Sequence, residues 1–550
     1  MTTYRVLVSD SLSPAGLEIL QQSEGIEVIN KPDLHKSPDD LREELKSVDA
    51  VLIRSGSKLT PEVLEGQERL KLVVRAGVGV DNVNLPAATK AGVIVMNTPA
   101  GNTTSTAEHA VALMMALARN IAPAAATMKA GGWDRKKFTG HQLAGKTLGI
   151  VGLGRIGQCV ARRARAMEMK LIAFDPVLSA ERAADMGVEL VRDLDELLPQ
   201  VDFLTVHVPG GPSTLGLIGS DELAKMKQGA CLINCARGGI IDEDALATAI
   251  ESGHIGGAAV DVFVKEPPGE TALTKLPQVL CTPHLGASTA EAQEAVALEA
   301  AELVKAYLLS GEIRNPVNTA PLLASELAQL KTGFGLAYRL GSLAAGIMKQ
   351  RCLTGVKSVK LTFRGEELEH KIEPLTNYFL AALLDGLLDE QLNYVNARNV
   401  AEQRGLEVEG TRDRSGGGDF TTLLSAEIVT DQCRLTIAGS VLGTKFLRLV
   451  RLDDLPLDAY LDGVLLIYRH QDKPGLIGVI GTTLGKHSVN IADMSLGRGQ
   501  RGGESVAVLN LDDEPPAAAV DEIRAHDGVT AVETVRLPAA DEPLPWLPSV

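Results

Sequence analysis

Short apolar runs alternate with helical patterns along the first 95 residues of the chain. Each run spans only a few residues between polar or turn-forming segments, as in strands that are buried on both faces. The runs are Val6–Val8, Val28–Ile29, Ala50–Ile53, Leu72–Val74 and Val93–Val95. Strands that alternate with helices form parallel sheets, so this part of the chain is predicted to be a parallel α/β unit.

A second alternation of strands and helices runs from about Thr147 to Cys281. Its strands are followed by polar or glycine-rich segments, which begin at Gly152, Asp175, His207, Cys235, Asp261 and Thr282. Open α/β sheets bind their ligands at the carboxyl ends of the strands. The pattern therefore predicts a second doubly wound sheet with a ligand site along one edge.

Two long helices are predicted on either side of this second unit. Thr103–Ala126 follows a Thr/Ser-rich cap and is apolar nearly all round, which predicts one helix buried between domains. We interpret His109 on this helix as a packed histidine rather than a catalyst. The Ala- and Glu-rich segment Ser288–Leu309 predicts another helix, which we expect to cross back to the first unit because no later part of the α/β pattern can receive it.

The pattern changes near residue 319, after which the sequence has no further glycine-rich phosphate loop or acid–base cluster. Helices are predicted at Ser325–Gln350 and Asn377–Asp389, and strands at Val356–Phe363 and Phe446–Leu452. The composition of Ser415–Gly418 is that of a flexible loop.

The last part of the chain has a pattern of its own. Gly463–Leu537 reads as strand, helix, strand, strand, helix, strand, which is the ferredoxin-like βαββαβ order. The Pro- and acid-rich tail Pro538–Val550 is expected to be frayed.

Composition narrows the possible partners. A chain of 550 residues predicts three or four domains, and a net charge of −16 argues against nucleic acid or an anionic membrane as a partner.

The 6 cysteines lie among apolar residues without metal-binding spacing, which indicates buried reduced thiols and no metal site. Thr3–Val8 is predicted to be a strand rather than a signal peptide, and no apolar run is long enough to cross a bilayer. We therefore expect a cytoplasmic protein.

The glycine-rich turn after the first strand of the second unit points to a nucleotide. Gly152 permits a tight turn, Gly154 lets backbone amides reach a pyrophosphate, and Gly157 lets helix and strand pack closely. The N-terminus of the following helix is positive and attracts phosphate. Asp175, at the end of the next strand, is placed to bind the ribose hydroxyls and would repel the 2′-phosphate of NADP. The predicted cofactor is therefore NAD.

Three residues at neighbouring strand ends form a candidate catalytic set. A histidine such as His284 can take the proton of an alcohol while a hydride leaves the same carbon. Glu266 can orient this imidazole and favour its charged form, and Arg237 can bind a substrate carboxylate and polarise a 2-oxo oxygen. Arg54 and Arg75 also follow strands and are candidates for anion contacts, with solvated strand-end charges as the alternative.

Five stretches of the first 318 residues carry a resemblance to a known family. They begin at Arg75 (RAGVGVDNV), Gly152 (GLGRIG), Asn234 (NCARGG), Val262 (VFVKEP) and Thr282 (TPHLGAST). Together they resemble the D-isomer-specific 2-hydroxyacid dehydrogenases, and within that family the long-form phosphoglycerate dehydrogenases. The resemblance implies a Rossmann-like nucleotide domain inserted in a flavodoxin-like substrate domain.

The resemblance also implies roles for individual residues. Arg237, Glu266 and His284 match the family's catalytic set. Positions matching cofactor contacts are Val78, Gly152, Gly154, Arg155, Ile156, Gly157, Asp175, Val208, Pro209, Cys235, Ala236, Arg237, Asp261, His284 and Gly286. Positions matching the substrate site are Arg54, Ser55, Arg75, Gly77 and Asn102, with Arg135 from a basic loop over Trp133–Phe138 that is otherwise a solvated charge run.

The C-terminal parts resemble an intervening domain followed by an ACT regulatory module. His470 and Asp472 lie at the first strand–helix turn of that module, and Asn490 enters its second strand. In related modules such positions bind an amino acid between two subunits, here L-serine, although several family members have Asn in place of Asp472. A polar turn and one Asn would also fit any ferredoxin-like domain.

The patterns divide the chain into domains, and the resemblance implies their identities. The domains are a substrate domain (1–98 and the return helix 288–318), an NAD-binding domain (99–287), an intervening α+β domain (319–460), an ACT domain (461–537) and a tail (538–550). The predicted function is NAD-dependent oxidation of 3-phospho-D-glycerate to 3-phosphohydroxypyruvate, in the phosphorylated route to L-serine, with inhibition by L-serine in a homotetramer built as a dimer of dimers. The alternatives are a glycerate or hydroxypyruvate reductase and a non-catalytic NAD-sensing protein similar to corepressors.

Overall fold

The structure is a computed structural model of the chain. It describes residues 3–351, 353, 356–369, 371–388, 392–413, 420–443, 445–539, 542 and 544. The predicted loop Ser415–Gly418 and most of the predicted tail lie outside the described residues.

The N-terminal part forms a five-stranded parallel sheet in the order β2-β1-β3-β4-β5. Its strands are β1 (Tyr4–Val8), β2 (Ile26–Asn30), β3 (Ala50–Ile53), β4 (Leu72–Arg75) and β5 (Ile94–Asn97). Its helices are α1 (Pro14–Gln21), α2 (Pro38–Leu45), α3 (Pro61–Leu64) and α4 (Leu85–Lys90), with a short 3₁₀ helix at Leu34–Lys36. All the strands predicted here are present, and their order is that of flavodoxin-like sheets.

Two helices lead from the five-stranded sheet to the next one, α5 (Thr103–Ala118) and α6 (Ile121–Lys129). The single helix predicted over this segment is wrong, because Asn120 takes a left-handed φ of 51° and the two axes differ by 65°. Asn tolerates this conformation better than most residues. The predicted burial holds for one face of α5, whereas no residue of α6 is buried.

The central part forms a seven-stranded parallel sheet in the order β12-β11-β10-β9-β6-β7-β8. The strands are β6 (Thr147–Val151), β7 (Lys170–Phe174), β8 (Glu189–Val191), β9 (Phe203–Val206), β10 (Ala230–Asn234), β11 (Ile255–Val260) and β12 (Val279–Cys281). The helices are α7 (Arg155–Ala166), α8 (Ala180–Asp185), α9 (Leu194–Leu197), α10 (Ser220–Lys225), α11 (Glu243–Glu251) and α12 (Ala272–Lys275), with a 3₁₀ helix at Leu198–Gln200. The Rossmann-like reading of this segment is confirmed.

Helix α13 (Ala290–Ser310) returns to the five-stranded sheet, as predicted. Val296, Val304 and Tyr307 on this helix are buried in one core with residues of β1, β3 and β4. The backbone of α13 lies close to α1: a Cβ on Gly16 of α1 would be only 2.7 Å from the carbonyl oxygen of Ala297. The seven-stranded sheet is therefore inserted between β5 and the helix that completes the first layer.

The third part is built on a mixed six-stranded sheet in the order β14-β13-β15-β16-β17-β18. Its strands are β13 (Ser358–Arg364), β14 (Glu407–Arg412), β15 (Leu423–Val429), β16 (Arg434–Leu442), β17 (Phe446–Leu452) and β18 (Leu455–Tyr460). Its helices are α14 (Ala324–Gln350), α15 (Glu366–Glu369), α16 (Ile372–Asp385) and α17 (Ala397–Gln403). Only β13 and β14 are parallel, and the other neighbours are antiparallel.

The last part is a four-stranded antiparallel sheet in the order β20-β21-β19-β22. Its elements follow the predicted βαββαβ order: β19 (Val464–Gln471), α18 (Leu476–Lys486), β20 (Ile491–Arg498), β21 (Glu504–Leu511), α19 (Ala517–Arg524) and β22 (Val529–Arg536). One face of β19 packs under α18 and α19, and the other face joins the core around α14.

The structure bears on two expectations from composition: that the cysteines are buried, and that no segment crosses a membrane. The five cysteines among the described residues are free, but Cys281 and Cys433 are exposed, so the expectation of buried thiols is only partly right. Cys281 is exposed because it ends the edge strand β12. In the described parts of the chain, no single helix is long and apolar enough to cross a membrane, and α5 with α6 passes that test only as a bent pair.

Candidate active site

The turn between β6 and α7 has the geometry of a phosphate-binding turn. Gly152 has a φ of 92°, and a Cβ there would lie 2.8 Å from the carbonyl oxygen of His207. A Cβ on Gly157 would collide with the carbonyl oxygen of Gly152, so helix and strand approach as closely as predicted. At Gly154, the N-cap of α7, a Cβ would meet nothing within 4 Å. The free amides of α7 therefore open onto space that a pyrophosphate can enter.

Asp175 follows β7 and holds two backbone turns next to each other. Its Oδ2 accepts a hydrogen bond from the amide of Leu153 at 2.8 Å. Its Oδ1 accepts from the amides of Val177 at 2.9 Å and Leu178 at 3.0 Å. The carboxylate is thus fixed beside the glycine turn, where a ribose that shares a nucleotide with the pyrophosphate must lie.

His284 and Glu266 are hydrogen-bonded to each other, as the catalytic hypothesis requires. The Nδ1 of His284 lies 2.8 Å from Oε2 of Glu266, and both side chains are partly exposed. The other oxygen of Glu266 accepts from the amide of Phe263 at 3.1 Å. Because Nδ1 faces the carboxylate, Nε2 is the ring nitrogen that would exchange a proton with a substrate.

Arg237 reaches across from the seven-stranded sheet to the loop after β4. Its Nε donates to Oδ2 of Asp81 at 2.9 Å, and its Nη1 donates to the carbonyl oxygen of Ala236 at 2.7 Å. A Cβ on Gly79 would overlap Nη2 of Arg237. The guanidinium is therefore clamped between its own strand end and a loop of the other sheet.

Arg75 is a half-buried cation beside other cations. Burial and the positive charge of Arg237 lower the pKa of Arg75 to about 10, and Arg54 acts in the same direction. Its Nε is buried without a hydrogen-bond partner among the described residues. Such a group is costly to bury alone, so the arrangement suits an anionic ligand.

Asp261 joins the strand ends behind His284. Its carboxylate is fully buried and accepts from the amides of Leu285 at 2.7 Å and Gly286 at 2.8 Å. Burial alone would raise the pKa of Asp261, but these bonds and those from His109 and Thr282 lower it below its usual value. The carboxylate is thus ionised inside the molecule.

Comparison with known proteins covers almost the whole chain. A family model described as D-isomer specific 2-hydroxyacid dehydrogenase, NAD binding domain, matches residues 111–286. The D-3-phosphoglycerate dehydrogenase intervening domain matches residues 329–453, and the ACT domain matches residues 464–528. The chain is 41% identical over 537 residues to D-3-phosphoglycerate dehydrogenase of Synechocystis sp., covering 98% of this chain and 95% of that protein. The corresponding protein of Methanocaldococcus jannaschii is 40% identical over 535 residues, covering 97% of this chain and 100% of that protein.

The chain belongs to the D-3-phosphoglycerate dehydrogenase family.

Solved structures share the fold of the dehydrogenase part. A glyoxylate reductase from Paecilomyes thermophila aligns with a TM-score of 0.53 and 32% identity, over 58% of this chain and 99% of that chain. The TT0316 protein from Thermus thermophilus aligns with a TM-score of 0.52 and 34% identity, over 57% of this chain and 99% of that chain. The resemblance inferred from the motifs is therefore confirmed, as are the NAD-dependent dehydrogenase class and the NAD cofactor.

The remaining predicted substrate and cofactor positions lie around the same strand ends. Arg54 follows β3 and donates from Nη1 to the carbonyl oxygen of Ser11 at 3.1 Å, with Ser55 exposed beside it. Gly77 lies against Arg75, and Asn102 is the N-cap of α5 with a buried Oδ1. The other cofactor positions occupy the ends of β4, β9 and β10 and the start of α7: Val78, Arg155, Ile156, Val208, Pro209, Cys235 and Ala236.

Arg135 lies on the exposed segment between α6 and β6. Its contribution to phosphate binding stays a prediction.

The predicted effector residues lie on either side of helix α18 of the ACT domain: His470 and Asp472 precede the helix, and Asn490 follows it. His470 is buried, with Nε2 lacking a partner among the described residues. Asp472 accepts from the amide of Gly502 at 3.1 Å and from Arg498 at 3.3 Å. Asn490 donates to Asp512 at 2.7 Å. Their role in binding an amino acid stays a prediction.

Sequence reasoning missed two residues of the site. Asp81 lies within the motif that begins at Arg75, yet no role was assigned to it, and it is the partner of Arg237. An acidic residue in the loop after a strand, close to arginines that are expected to bind an anion, was the signal that could have pointed to Asp81. His109 was interpreted as a packed histidine rather than a catalyst; the structure adds its contact with Asp261 at 3.2 Å, to which no local pattern pointed.

Proposed function

We propose that this chain oxidises 3-phospho-D-glycerate to 3-phosphohydroxypyruvate with NAD. The observation that carries the proposal is the half-buried Arg75 guanidinium, whose buried Nε has no partner among the described residues, beside Arg54 and Arg237. In a protein of net charge −16, three clustered arginines favour a substrate with more than one anionic group. A carboxylate and a phosphate on the same small molecule meet this requirement. The names of the relatives, D-3-phosphoglycerate dehydrogenase, support the same substrate. The phosphorylated route to L-serine is part of the proposal.

The chemistry follows from the geometry of the strand ends. The amides at Gly152–Gly157 and the carboxylate of Asp175 would hold NAD, which supplies the hydride acceptor when bound. His284 takes the proton of the substrate hydroxyl at Nε2, and Glu266 stabilises the imidazolium through Nδ1. Arg237 binds the carboxylate and polarises the oxygen that becomes the 2-oxo group. The site assignments and the domain division predicted from the sequence are part of this proposal.

The test compares initial rates of NADH formation from 3-phospho-D-glycerate and from D-glycerate at equal concentrations. We expect kcat/KM to be at least about 100-fold higher for the phosphorylated acid, since one phosphate–arginine pair is worth a few kcal/mol. Arg75→Gln should remove most of this preference while changing the rate with D-glycerate less. Equal rates with both acids would favour a glycerate or hydroxypyruvate reductase, and no NAD-linked turnover would favour a non-catalytic sensor.

Regulation is a separate part of the proposal. We propose that L-serine binds at the turn formed by His470 and Asp472, with Asn490, and lowers the rate of the dehydrogenase. The ACT domain supports this proposal. Rates with saturating 3-phospho-D-glycerate and NAD should fall when L-serine is added, and Asp472→Ala should lose this response while keeping the basal rate. An unchanged rate at saturating L-serine would contradict the regulatory proposal alone.

The homotetramer and the cytoplasmic location expected from the sequence stay predictions.

A further inference from the structure

The loop that carries His284 is tied to a single carboxylate. Oδ1 of Asp261 accepts from the hydroxyl of Thr282 at 2.5 Å and from the amide of Leu285 at 2.7 Å, and Oδ2 accepts from the amide of Gly286 at 2.8 Å. The backbone oxygen of Asp261 accepts from the amide of His284 itself at 2.9 Å. The loop is therefore held on both sides of the imidazole by one residue.

His284 needs this support because its backbone is strained. It has a φ of 54°, in the left-handed region that residues other than glycine adopt uncommonly, even though His, Asn and Asp enter it more often than the rest. Conformations of this kind cost on the order of 1–3 kcal/mol and persist only where the surrounding bonds hold them. The position of the imidazole therefore depends on how firmly Asp261 is held in turn.

His109 on α5 holds Asp261 and Thr282 together. Its Nε2 lies 3.2 Å from Oδ1 of Asp261 and 3.2 Å from Oγ1 of Thr282. The same face of α5 contacts the end of the loop, since the hydroxyls of Ser105 and Thr289 are 2.8 Å apart. His109 thus connects a buried helix to the carboxylate that organises the loop.

A metal ion is the rival explanation for this cluster. The ligand atoms of His109, Cys235 and Asp261 lie within 4.8 Å of one another. However, both oxygens of Asp261 already accept hydrogen bonds, and burial and the charge of Asp261 raise the pKa of the Cys235 thiol far above its usual value. A protonated thiol and a saturated carboxylate are poor ligands, so the contacts form a hydrogen-bond network.

We infer that His109 is a positioning residue for the proposed reaction: it donates a hydrogen bond to Asp261 and so fixes the loop that presents the His284 imidazole. The inference rests on the proposed function, because it concerns the same proton transfer. It assigns His109 no contact with substrate or cofactor.

The test measures the steady-state kinetics of His109→Leu, which fills a similar volume without a donor, and of His109→Gln, which keeps an N–H near the position of Nε2. We expect His109→Leu to lower kcat about 10- to 100-fold, as for a misplaced reacting group, with KM for 3-phospho-D-glycerate and the dissociation constant of NADH nearly unchanged. His109→Gln should recover most of the lost kcat. Thermal unfolding of all variants identifies losses that come from misfolding.

Ser105→Ala is the matched control. It removes a hydrogen bond between the same helix and the same loop without touching Asp261, and it should retain the parent kcat. The inference is overturned if His109→Leu retains full kcat, if His109→Gln is as impaired as His109→Leu, or if Ser105→Ala is equally impaired. These outcomes are read against an active parent enzyme, so they are distinct from failure of the proposed function, in which the parent itself does not oxidise 3-phospho-D-glycerate.

Discussion

Individual side chains of the site are held by partners from two different sheets. Arg237 comes from the seven-stranded sheet, and Asp81 comes from the loop after β4. Gly79 lies so close to this pair that a Cβ would overlap Nη2 of Arg237 and lie 2.7 Å from Oδ2 of Asp81. The absence of a side chain at residue 79 is therefore a condition for the position of the arginine.

Gly79→Ala is predicted to move Arg237 and not to unfold the protein. The obstructing atoms are the flexible ends of two side chains, which can shift at little cost in stability, but the shift displaces the group proposed to bind the substrate carboxylate. We expect kcat/KM for 3-phospho-D-glycerate to fall about 10- to 100-fold with a nearly unchanged unfolding temperature. Gly485→Ala, in helix α18 at a position with nothing within 4 Å, is the control: it should leave kcat/KM unchanged and should not lower the unfolding temperature.

His284→Ala is predicted to separate cofactor binding from turnover. Removing the imidazole removes the proposed proton acceptor but none of the contacts at the glycine turn. Turnover should fall by about 10²–10⁴, the usual contribution of a positioned acid or base. NADH binding, followed by fluorescence, should match that of the parent. Full activity of the variant would exclude His284 from the mechanism.

At the residue scale, position at a strand end was the most informative signal in the sequence. It found the hydrogen-bonded pair of Glu266 and His284, because parallel strands bring their carboxyl ends to one edge. It could not show that Asp81 reaches Arg237, since the two residues belong to different sheets and are 156 positions apart. Contacts of this range depend on the relative position of two layers, which no local pattern encodes.

At the scale of elements, the α/β parts were more predictable than the mixed sheet. Buried parallel strands are short apolar runs, whereas β14, with the sequence EVEGTR, lies at a sheet edge and carries charged residues. Its strand character comes from pairing with β13 and not from its own composition. The break at Asn120 was missed for a related reason, because the apolar pattern continues through a left-handed residue.

Two asparagines of the intervening domain dock on the end of α4. Asn393 donates to the carbonyl oxygen of Gly92 at 2.9 Å, and Asn396 donates to that of Lys90 at 3.2 Å. A Cβ on Gly92, whose φ is 70°, would collide with the amide of Asn393. Because α4 follows the loop that contains Asp81, this contact connects the intervening domain to the edge of the active site.

Asn393→Ala is predicted to weaken this contact. It leaves the carbonyl oxygen of Gly92 without its donor, and it removes the acceptor of the Val395 amide at 2.9 Å. We expect the free energy of unfolding to fall by about 1–2 kcal/mol, measured as a shift in the urea midpoint. Asn399→Ala, which removes an exposed bond to Gln403 on α17, should change it by less than about 0.5 kcal/mol. Equal shifts for both variants would contradict a specific role of the docking contact.

At the scale of the whole molecule, the first, third and last parts of the chain share one continuous core, whereas the seven-stranded sheet packs in clusters of its own. Residues of β1, α13, α14, β15 and β19 belong to the same buried cluster. A network of ion pairs lies in this core between the intervening and ACT domains. Arg351 binds Glu533 at 2.5 Å and Asp453 at 3.2 Å. Asp453 also binds Arg469. Glu533 is only 2% exposed, and Arg351 is its ion-pair partner.

Arg351→Leu is predicted to be more damaging than removal of the whole pair. The single change leaves the Glu533 carboxylate buried without its cation, at a cost of about 3–5 kcal/mol. Arg351→Leu/Glu533→Leu removes both charges, while Asp453 keeps Arg469, and should recover at least half of this loss. Urea unfolding of the parent, both single variants and the double variant gives the coupling energy. Additive losses would show that the two residues do not depend on each other.

Helix α14 extends through most of this shared core. Its 27 residues make a rod about 40 Å long. It begins just after Leu322, which pairs with Ile313 behind α13, and near its other end Gly346 lies against Val535 of β22. An unbroken helix resists both compression and bending, so under the proposed regulation by L-serine a displacement of the ACT sheet would be carried along the axis of α14 to the layer that holds the arginines.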